Sequence, residues 1–247
     1  MNESHSSFSI VIPTHQRPEQ LADCLAALRR LEYPRDRFEV VVVDDGTRPE
    51  KRVEEVVRSH GDDLDLKLVR QPNAGPAAAR NAGAARAART FLAFTDDDCR
   101  PRPTWLRALA DRLAAVPDAL VGGRAVNAVP ANVCAAASQV LVDYISDYCL
   151  QKGAPIFLSS NLAIRREVFL ELGGFDRRFA RAAGEDRELC DRGLARGLKL
   201  LWAPDAVVEH SHDLTLRGFV RQHYHYGCGA WQFHRIRAER GAQRIRL

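Results

Sequence analysis

Apolar residues fall into short runs separated by polar, turn-forming stretches, and over the first hundred residues the runs alternate between two periods. Phe8-Ser9-Ile10-Val11-Ile12 is a β-rich run that ends at Pro13-Thr14. Phe38 to Val43 is a second run, near-continuously apolar, as expected of a strand covered on both faces in a parallel sheet. Leu66–Val69 and Phe91–Phe94 predict two more strands. Between them, Leu21, Leu25 and Leu28 recur at helical spacing and predict a helix over about Pro18–Leu31; Pro49–Ser59 predicts another. An Ala-rich stretch, Pro76–Arg89, predicts a third helix, with Pro at its first turn. Strands alternating with helices predict an α/β fold with an open, mostly parallel sheet.

The second half is less regular. Pro103–Val116, Ala131–Leu150, Arg166–Leu172 and Glu185–Arg196 predict helices, and Gly173-Gly174 ends the third of these. Leu120–Val126, Ile156–Ile164, Leu198–Trp202 and Ala206–Val208 predict strands, and a helix is expected from Leu214 onward. No repeat or low-complexity linker interrupts the 247 residues, a length that buries a sizeable core in one compact unit.

Composition removes several classes. With 46% hydrophobic and 28% charged residues the chain is not a disordered one. No run approaches the ~18 uninterrupted apolar residues of a membrane span, and Met1 to Ser7 is polar, unlike a secretory signal. A cytoplasmic protein is the expectation. The six cysteines are scattered without C-x-x-C spacing, which argues against a disulfide framework or zinc site. Net charge is +4, but it is uneven: Leu214–Leu247 carries seven Arg against one acid, Glu239.

In a parallel α/β sheet, ligands bind beyond the carboxyl ends of the strands. There the chain places Thr14-His15-Gln16-Arg17, then Asp44-Asp45-Gly46, then Asp96-Asp97-Asp98. Acids in such positions commonly cap the next turn or helix, and Asp44-Asp45 alone leaves that reading open. Three consecutive acids beside a buried strand repel one another unless a cation compensates, and Mg²⁺ or Mn²⁺ held by one or two carboxylates plus substrate phosphates does so simply. Neither G-x-G-x-x-G after the first strand nor G-x-x-x-x-G-K-[ST] is present, so the dinucleotide and P-loop readings lose their main support.

Taken in order, Ile10-Val11-Ile12-Pro13-Thr14, Val43-Asp44-Asp45-Gly46-Thr47, Asn73 through Gly83 and Phe94-Thr95-Asp96-Asp97-Asp98 resemble the inverting glycosyltransferases of family two. Ser160-Asn161-Leu162, Gly173-Gly174-Phe175-Asp176, Gly184-Glu185-Asp186 with Arg192, and Pro204 through His210 continue the likeness, which covers roughly residues 8–212. The resemblance implies a GT-A (Rossmann-like) fold in a single compact domain. Residues 1–100 would form the nucleotide-sugar-binding half, 101–213 the acceptor and catalytic half, and 214–247 a basic-aromatic helical tail. It implies a nucleoside-diphosphate sugar donor, by default a UDP-sugar, a hydroxyl acceptor, lipid-linked or glycan, and a role in cell-envelope or polysaccharide biosynthesis. Asp45 would bond the nucleotide base, with Pro13, Thr14, Arg17 and Asp44 near the same pocket and Arg80 and Asn81 beside base or ribose. Asp96 and Asp98 would be the metal-binding D-x-D pair, with Asp97 a lesser donor-site candidate and His210 a further ligand of Mn²⁺ or Mg²⁺. Asp186 would be the general base, with Glu185 orienting it or touching the acceptor. Acceptor specificity is expected in about Asn127–Phe157.

These roles agree with the chemistry. A divalent ion neutralises charge on a leaving diphosphate, and a carboxylate takes the acceptor's proton. Read alone, Asp186 and Glu185 are equally good first-turn residues of a helix, and Arg80 a solvated face residue. Processive synthases of this group carry Q-x-x-R-W; here Gln222-His223-Tyr224-His225-Tyr226 lacks both the Arg and the Trp, so a non-processive enzyme is expected. In the tail, Leu216, Phe219, Val220, Tyr224, Trp231 and Phe233 interleave with Arg217, Arg221, Arg235 and Arg237. That pattern fits either a helix packed on the catalytic domain or a peripheral contact with the inner face of a membrane. Without a stacking-platform motif, nucleic-acid binding is not expected. Two alternatives stay open: a nucleotidyltransferase, which would need a Gly-rich basic loop after the first strand, and a non-catalytic nucleotide-sugar binder that has kept the fold.

Overall fold

The first strand, β1 (Phe8–Thr14), and the second, β2 (Phe38–Asp44), are buried almost throughout, because helices cover both faces of the sheet they start. The computed structural model describes residues 6–49, 51–179, 181 and 183–241. Helix α1 (Pro18–Leu28) turns Leu21, Leu25 and Leu28 inward, and α2 (Lys51–Ser59) follows β2. Then come β3 (Leu66–Arg70), α3 (Pro76–Arg86), β4 (Phe91–Phe94), β5 (Cys99–Pro101) and α4 (Trp105–Ala115). The second half supplies β6 (Leu120–Asn127), α5 (Val133–Gln151), β7 (Leu162–Arg165), α6 (Arg166–Leu172), α7 (Glu185–Ala195), β8 (Leu200–His210) and α8 (Leu216–Glu239).

Among the described residues, eight strands form one sheet in the order β3-β2-β1-β4-β7-β6-β8-β5. The pairs β3–β2, β2–β1, β1–β4 and β6–β8 are parallel, and β4–β7, β7–β6 and β8–β5 antiparallel. The mostly parallel α/β sheet expected from the sequence is therefore present, and each of its antiparallel pairs includes a strand of the second half. In register, Thr14 lies opposite Asp44 and Val11 opposite Phe94, so the chain segments after β1, β2 and β4 leave the sheet at one edge.

Three local expectations change. Of the expected strand Ile156–Ile164 only Leu162–Ile164 pairs, in a strand that runs on to Arg165; the residues before it bend away, with Phe157 N donating to Cys190 Sγ at 3.4 Å and Ser159 N to Asp186 Oδ2 at 3.4 Å. The two short strands expected near 200 and 207 are one strand, β8, in which Pro204, Asp205 and Ala206 bulge between the pairings Gly123–Ala203 and Arg124–Val207. β5 is an added edge strand too short for a periodicity to reveal.

Asn161 ties this irregular half together. It is fully buried; its Oδ1 accepts from Trp105 Nε1 at 2.8 Å, and its Nδ2 donates to Arg124 O at 3.0 Å and Ala206 O at 2.8 Å. One side chain thus satisfies an indole N–H and the carbonyls exposed by the bulge, groups that would each be costly to bury unpaired.

Candidate active site

The acids after β4 are separated by their surroundings. Asp97 is buried and accepts from Thr14 Oγ1 at 2.8 Å and Arg17 Nη1 at 3.3 Å. Burial first, and then the Asp98 charge, push its carboxyl up to about 7. Asp98 goes the other way. Burial raises it, but the hydrogen bond and charge of His210, with Arg17 behind them, outweigh that and hold it at about 2. Arg17 Nη1 is 2.9 Å from Asp98 Oδ2, and His210 Nε2 is 3.3 Å from Asp98 Oδ1. Burial lowers the His210 pKa and Asp98 raises it, with a net upward shift.

Asp98, Cys99 and His210 bring ligand atoms within 4.8 Å of one another. Burial raises the Cys99 thiol well above 9, so it stays protonated and is a poor ligand. A carboxylate oxygen and an imidazole nitrogen remain, a donor pair suited to Mn²⁺ or Mg²⁺ with other positions left for water and phosphate. Asp96, expected to share the ion, lies outside this group.

Asp96 instead pairs with Arg80. That arginine, expected at the base or on a solvated face, is 1% exposed. Its Nη2 donates to Asp96 Oδ1 at 2.5 Å and its Nη1 to Glu185 Oε1 at 3.1 Å, and its guanidinium lies 5.6 Å from the centre of the Phe175 ring. A residue of α3 thereby joins the acids after β4 to the first turn of α7. Glu185 Oε2 also accepts from Ala183 N at 2.8 Å. Burial, then the neighbouring Asp186 charge, push Glu185 up to about 7. Asp186 is likewise raised by burial, although the N–H groups of Arg187 and Ser159 favour its charged form.

Asp45 has a different first task from the expected base contact. Its Oδ1 accepts from Gln71 Nε2 at 2.7 Å and Ala74 N at 2.8 Å, and its Oδ2 from Gly75 N at 2.9 Å. It fixes where α3 begins and hence where Arg80 points. The side chains of Asp44 and Asn81 are engaged by backbone groups. Asp44 Oδ1 accepts from Thr47 N at 2.8 Å and closes a turn. Asn81 exchanges two 2.8 Å hydrogen bonds with the backbone of Phe175. Gly174 fits there because a Cβ would come 2.5 Å from Asn81 Oδ1.

Two cavities meet at Arg80 and Asp96. One, of about 550 Å³, runs past Pro13, Thr14, Arg17, Asp45 and Asp96–Asp98. The other, of about 280 Å³, reaches Glu185 and Asp186. Both are also bounded by His210, His212, Gln222 and Tyr226. The last two belong to α8, and α8 further lines the larger cavity with Arg221 and His225, the latter beside Arg181 at 3.0 Å. Gln222, His225 and Tyr226 are given no site role by the sequence, and Arg221 only one in the basic-aromatic tail. Their signal is there: Gln222, His225 and Tyr226 stand at i, i+3 and i+4, one face of a helix, in the same spacing as Q-x-x-R-W. The close approach of α8 depends on Gly229, where a Cβ would lie 2.2 Å from Ala183 O.

A solved structure of similar fold is the mannosyltransferase PcManGT from Pyrobaculum calidifontis in complex with GDP-Man and Mn²⁺: TM-score 0.76, 22% identity, covering 98% of this chain and 67% of that one. Another is S. aureus TarS 1-349 in complex with UDP-GlcNAc: TM-score 0.66, 18% identity, 87% of this chain and 60% of that one. The sheet and its cleft are those of a GT-A glycosyltransferase. Residues 9–173 match the family model "Glycosyl transferase family 2". The chain belongs to that family. The pre-mycofactocin glycosyltransferase of Mycobacterium tuberculosis is 31% identical over 236 residues, 92% of this chain and 47% of the relative, so the chain spans about half the length of that relative.

Proposed function

We propose that the chain is a non-processive, inverting transferase that moves a sugar from a nucleoside-diphosphate sugar, by default a UDP-sugar, to an acceptor hydroxyl. The observation that carries this reading is the junction itself: a cavity with four arginines and four aspartates on its walls opens, at Arg80 and Asp96, onto one walled by Asp186. The 1–100 half would hold the donor, with Thr14, Pro13, Arg17, Asp96 and Asp97 along it, and the 101–213 half the acceptor. Asp98 and His210 would hold Mn²⁺ or Mg²⁺, which when bound neutralises charge on the diphosphate. Asp186 accepts the proton of the acceptor hydroxyl as its oxygen bonds to the anomeric carbon. The bond from that carbon to the phosphate oxygen breaks, and the nucleoside diphosphate leaves with the electron pair. One displacement inverts the carbon, and no carboxylate nucleophile is needed. The charge of Arg80 favours the ionised form of Asp186, and the N–H groups of Ser159 and Arg187 hold that carboxylate. The basic residues of α8 and Arg181 favour the departing diphosphate.

Among the described residues no helix is long and apolar enough to cross a membrane. A peripheral contact with an anionic membrane is part of the proposal. It rests on Leu216, Val220, Tyr224 and Trp231, which are 60–70% exposed beside Arg217 and Arg221. The primary test is release of nucleoside diphosphate from a panel of nucleotide sugars with Mn²⁺, with and without EDTA. Turnover that requires the ion supports the reading. Binding without turnover of any donor would return the chain to a nucleotide-sugar binder.

A further inference from the structure

Resting on the transferase reading, we propose that the acceptor is an amphiphile: its reactive hydroxyl is carried on a compact alkyl or aryl body that seats between α5 and residues 156–160. The cavity beyond Asp186 is walled there by Ala125, Ala135, Val142, Ile145, Ile156 and Leu158. Ser146, Ser159 and Ser160 add small hydroxyls to this wall, while its two polar side chains nearest the mouth of α5 are already engaged. Ser138 Oγ is met by Gln222 Nε2 at 3.3 Å and His223 Nε2 at 3.2 Å, and Gln139 Nε2 donates to Ala125 O at 3.1 Å and Asp143 Oδ1 at 2.7 Å. A free sugar bound there would trade water for an apolar wall and lose hydrogen bonds at several hydroxyls. An alkyl or aryl group gains by the same exchange. The carboxylates of this cavity, Glu185, Asp186 and Asp96, converge at the inner end, where a single hydroxyl has to arrive.

The outer end supports the same occupant. Ile145 is 50% exposed at the mouth, and Leu141 and Tyr144 on the same helix are 44% and 67% exposed. Of the nineteen residues of α5 only Ala135, Ser138 and Cys149 are buried. An apolar track thus leads from the surface to Asp186, and contiguous exposed apolar surface marks a place where something apolar binds.

The test uses the intact chain with Mn²⁺ and UDP, titrated by calorimetry with n-octyl β-D-glucoside and with methyl β-D-glucoside, both below the micellar range. The two probes share every hydroxyl and differ in the apolar body. The octyl compound should bind at least about tenfold more tightly, the factor that burial of two methylenes supplies. Ile145→Asp at the mouth should abolish that preference. Leu170→Asp, on the exposed face of α6 outside the cavity, should leave it unchanged. UDP binding should be equal in all three proteins, which shows the variants folded. Equal or absent binding of the two glucosides, a preference that survives Ile145→Asp, or one lost in Leu170→Asp overturns the proposal. Failure of the wild-type chain to bind UDP would instead count against the transferase reading.

Discussion

The two cavities share a boundary but use opposite physics. The larger one opposes arginines and histidines to aspartates, and its groups are spread across pKa values from about 2 for Asp98 to about 7 for Asp97. The smaller one is largely apolar, with its ionisable groups gathered at one end around Glu185 and Asp186. In the proposed reading, charge on the donor would be met by charge, and Asp186 would act as base where water is scarce and its basicity is raised. Arg80 is the wall between them. Two carboxylates from opposite sides bind the same guanidinium, so neither region can be rearranged without the other.

Substitutions that act on one side only sharpen this division. The largest effect is expected from Asp186→Asn, which should lower transfer about 10²- to 10⁴-fold while donor affinity, measured by calorimetry, is retained. Loss of donor affinity alone would remove Asp186 from the role of base. On the donor side, His210→Ala should raise the Mn²⁺ concentration giving half-maximal turnover by on the order of 10–100-fold, since even an outer partner of a metal ligand is worth that much. Binding of the octyl glucoside should not change.

Asn161→Leu addresses both regions at once. It strips partners from the Trp105 indole and two bulge carbonyls. About 3 kcal/mol of stability should be lost, which is roughly 6–12 °C in the melting midpoint of a chain this size. A midpoint within 2 °C of wild type, roughly the error on such a shift, would show that the hub is dispensable.

A smaller effect is expected in the pH profile. Asp186 must be ionised to act as base, and burial raises its pKa, so transfer should fall on the acidic side above the ordinary aspartate value of 3.8. A pH profile whose acidic limb lies at or below 3.8 contradicts the assignment. Stability has the opposite sense. Because Glu185 is raised from 4.5 to about 7, its contribution is complete below about 4.5 and is lost as pH climbs through 7. The smallest effect is expected at the surface. Vesicles containing anionic lipid should co-sediment the chain more than zwitterionic ones, and added salt should weaken the contact. Equal sedimentation on both would remove the electrostatic part.

Much of this layout is legible in the chain itself, for a local reason. Strand runs, the Pro-initiated α3, the glycine stop at Gly173-Gly174 and the acids after β2 and β4 depend on neighbours a few residues away. The parallel order then obliges those acids to share one edge of the sheet. What periodicity cannot show is which acids face the ligand. Asp44 and Asp45 are adjacent, yet one closes a turn and the other holds α3. Asn81 and Arg80 are adjacent, yet one clamps Phe175 and the other is the bridge between cavities.

The amino-acid sequence by itself determined the α/β class, the edge of the sheet where chemistry occurs and the family to which the chain belongs. Only the tertiary structure decided that Arg80 is buried, that His210 reaches Asp98, and that α8 lies over the cleft with Gln222 and Tyr226 on both cavities. The reason is separation along the chain. Arg80 meets Glu185 across 105 residues, and the selection of such a partner depends on how the sheet and its helices close around them.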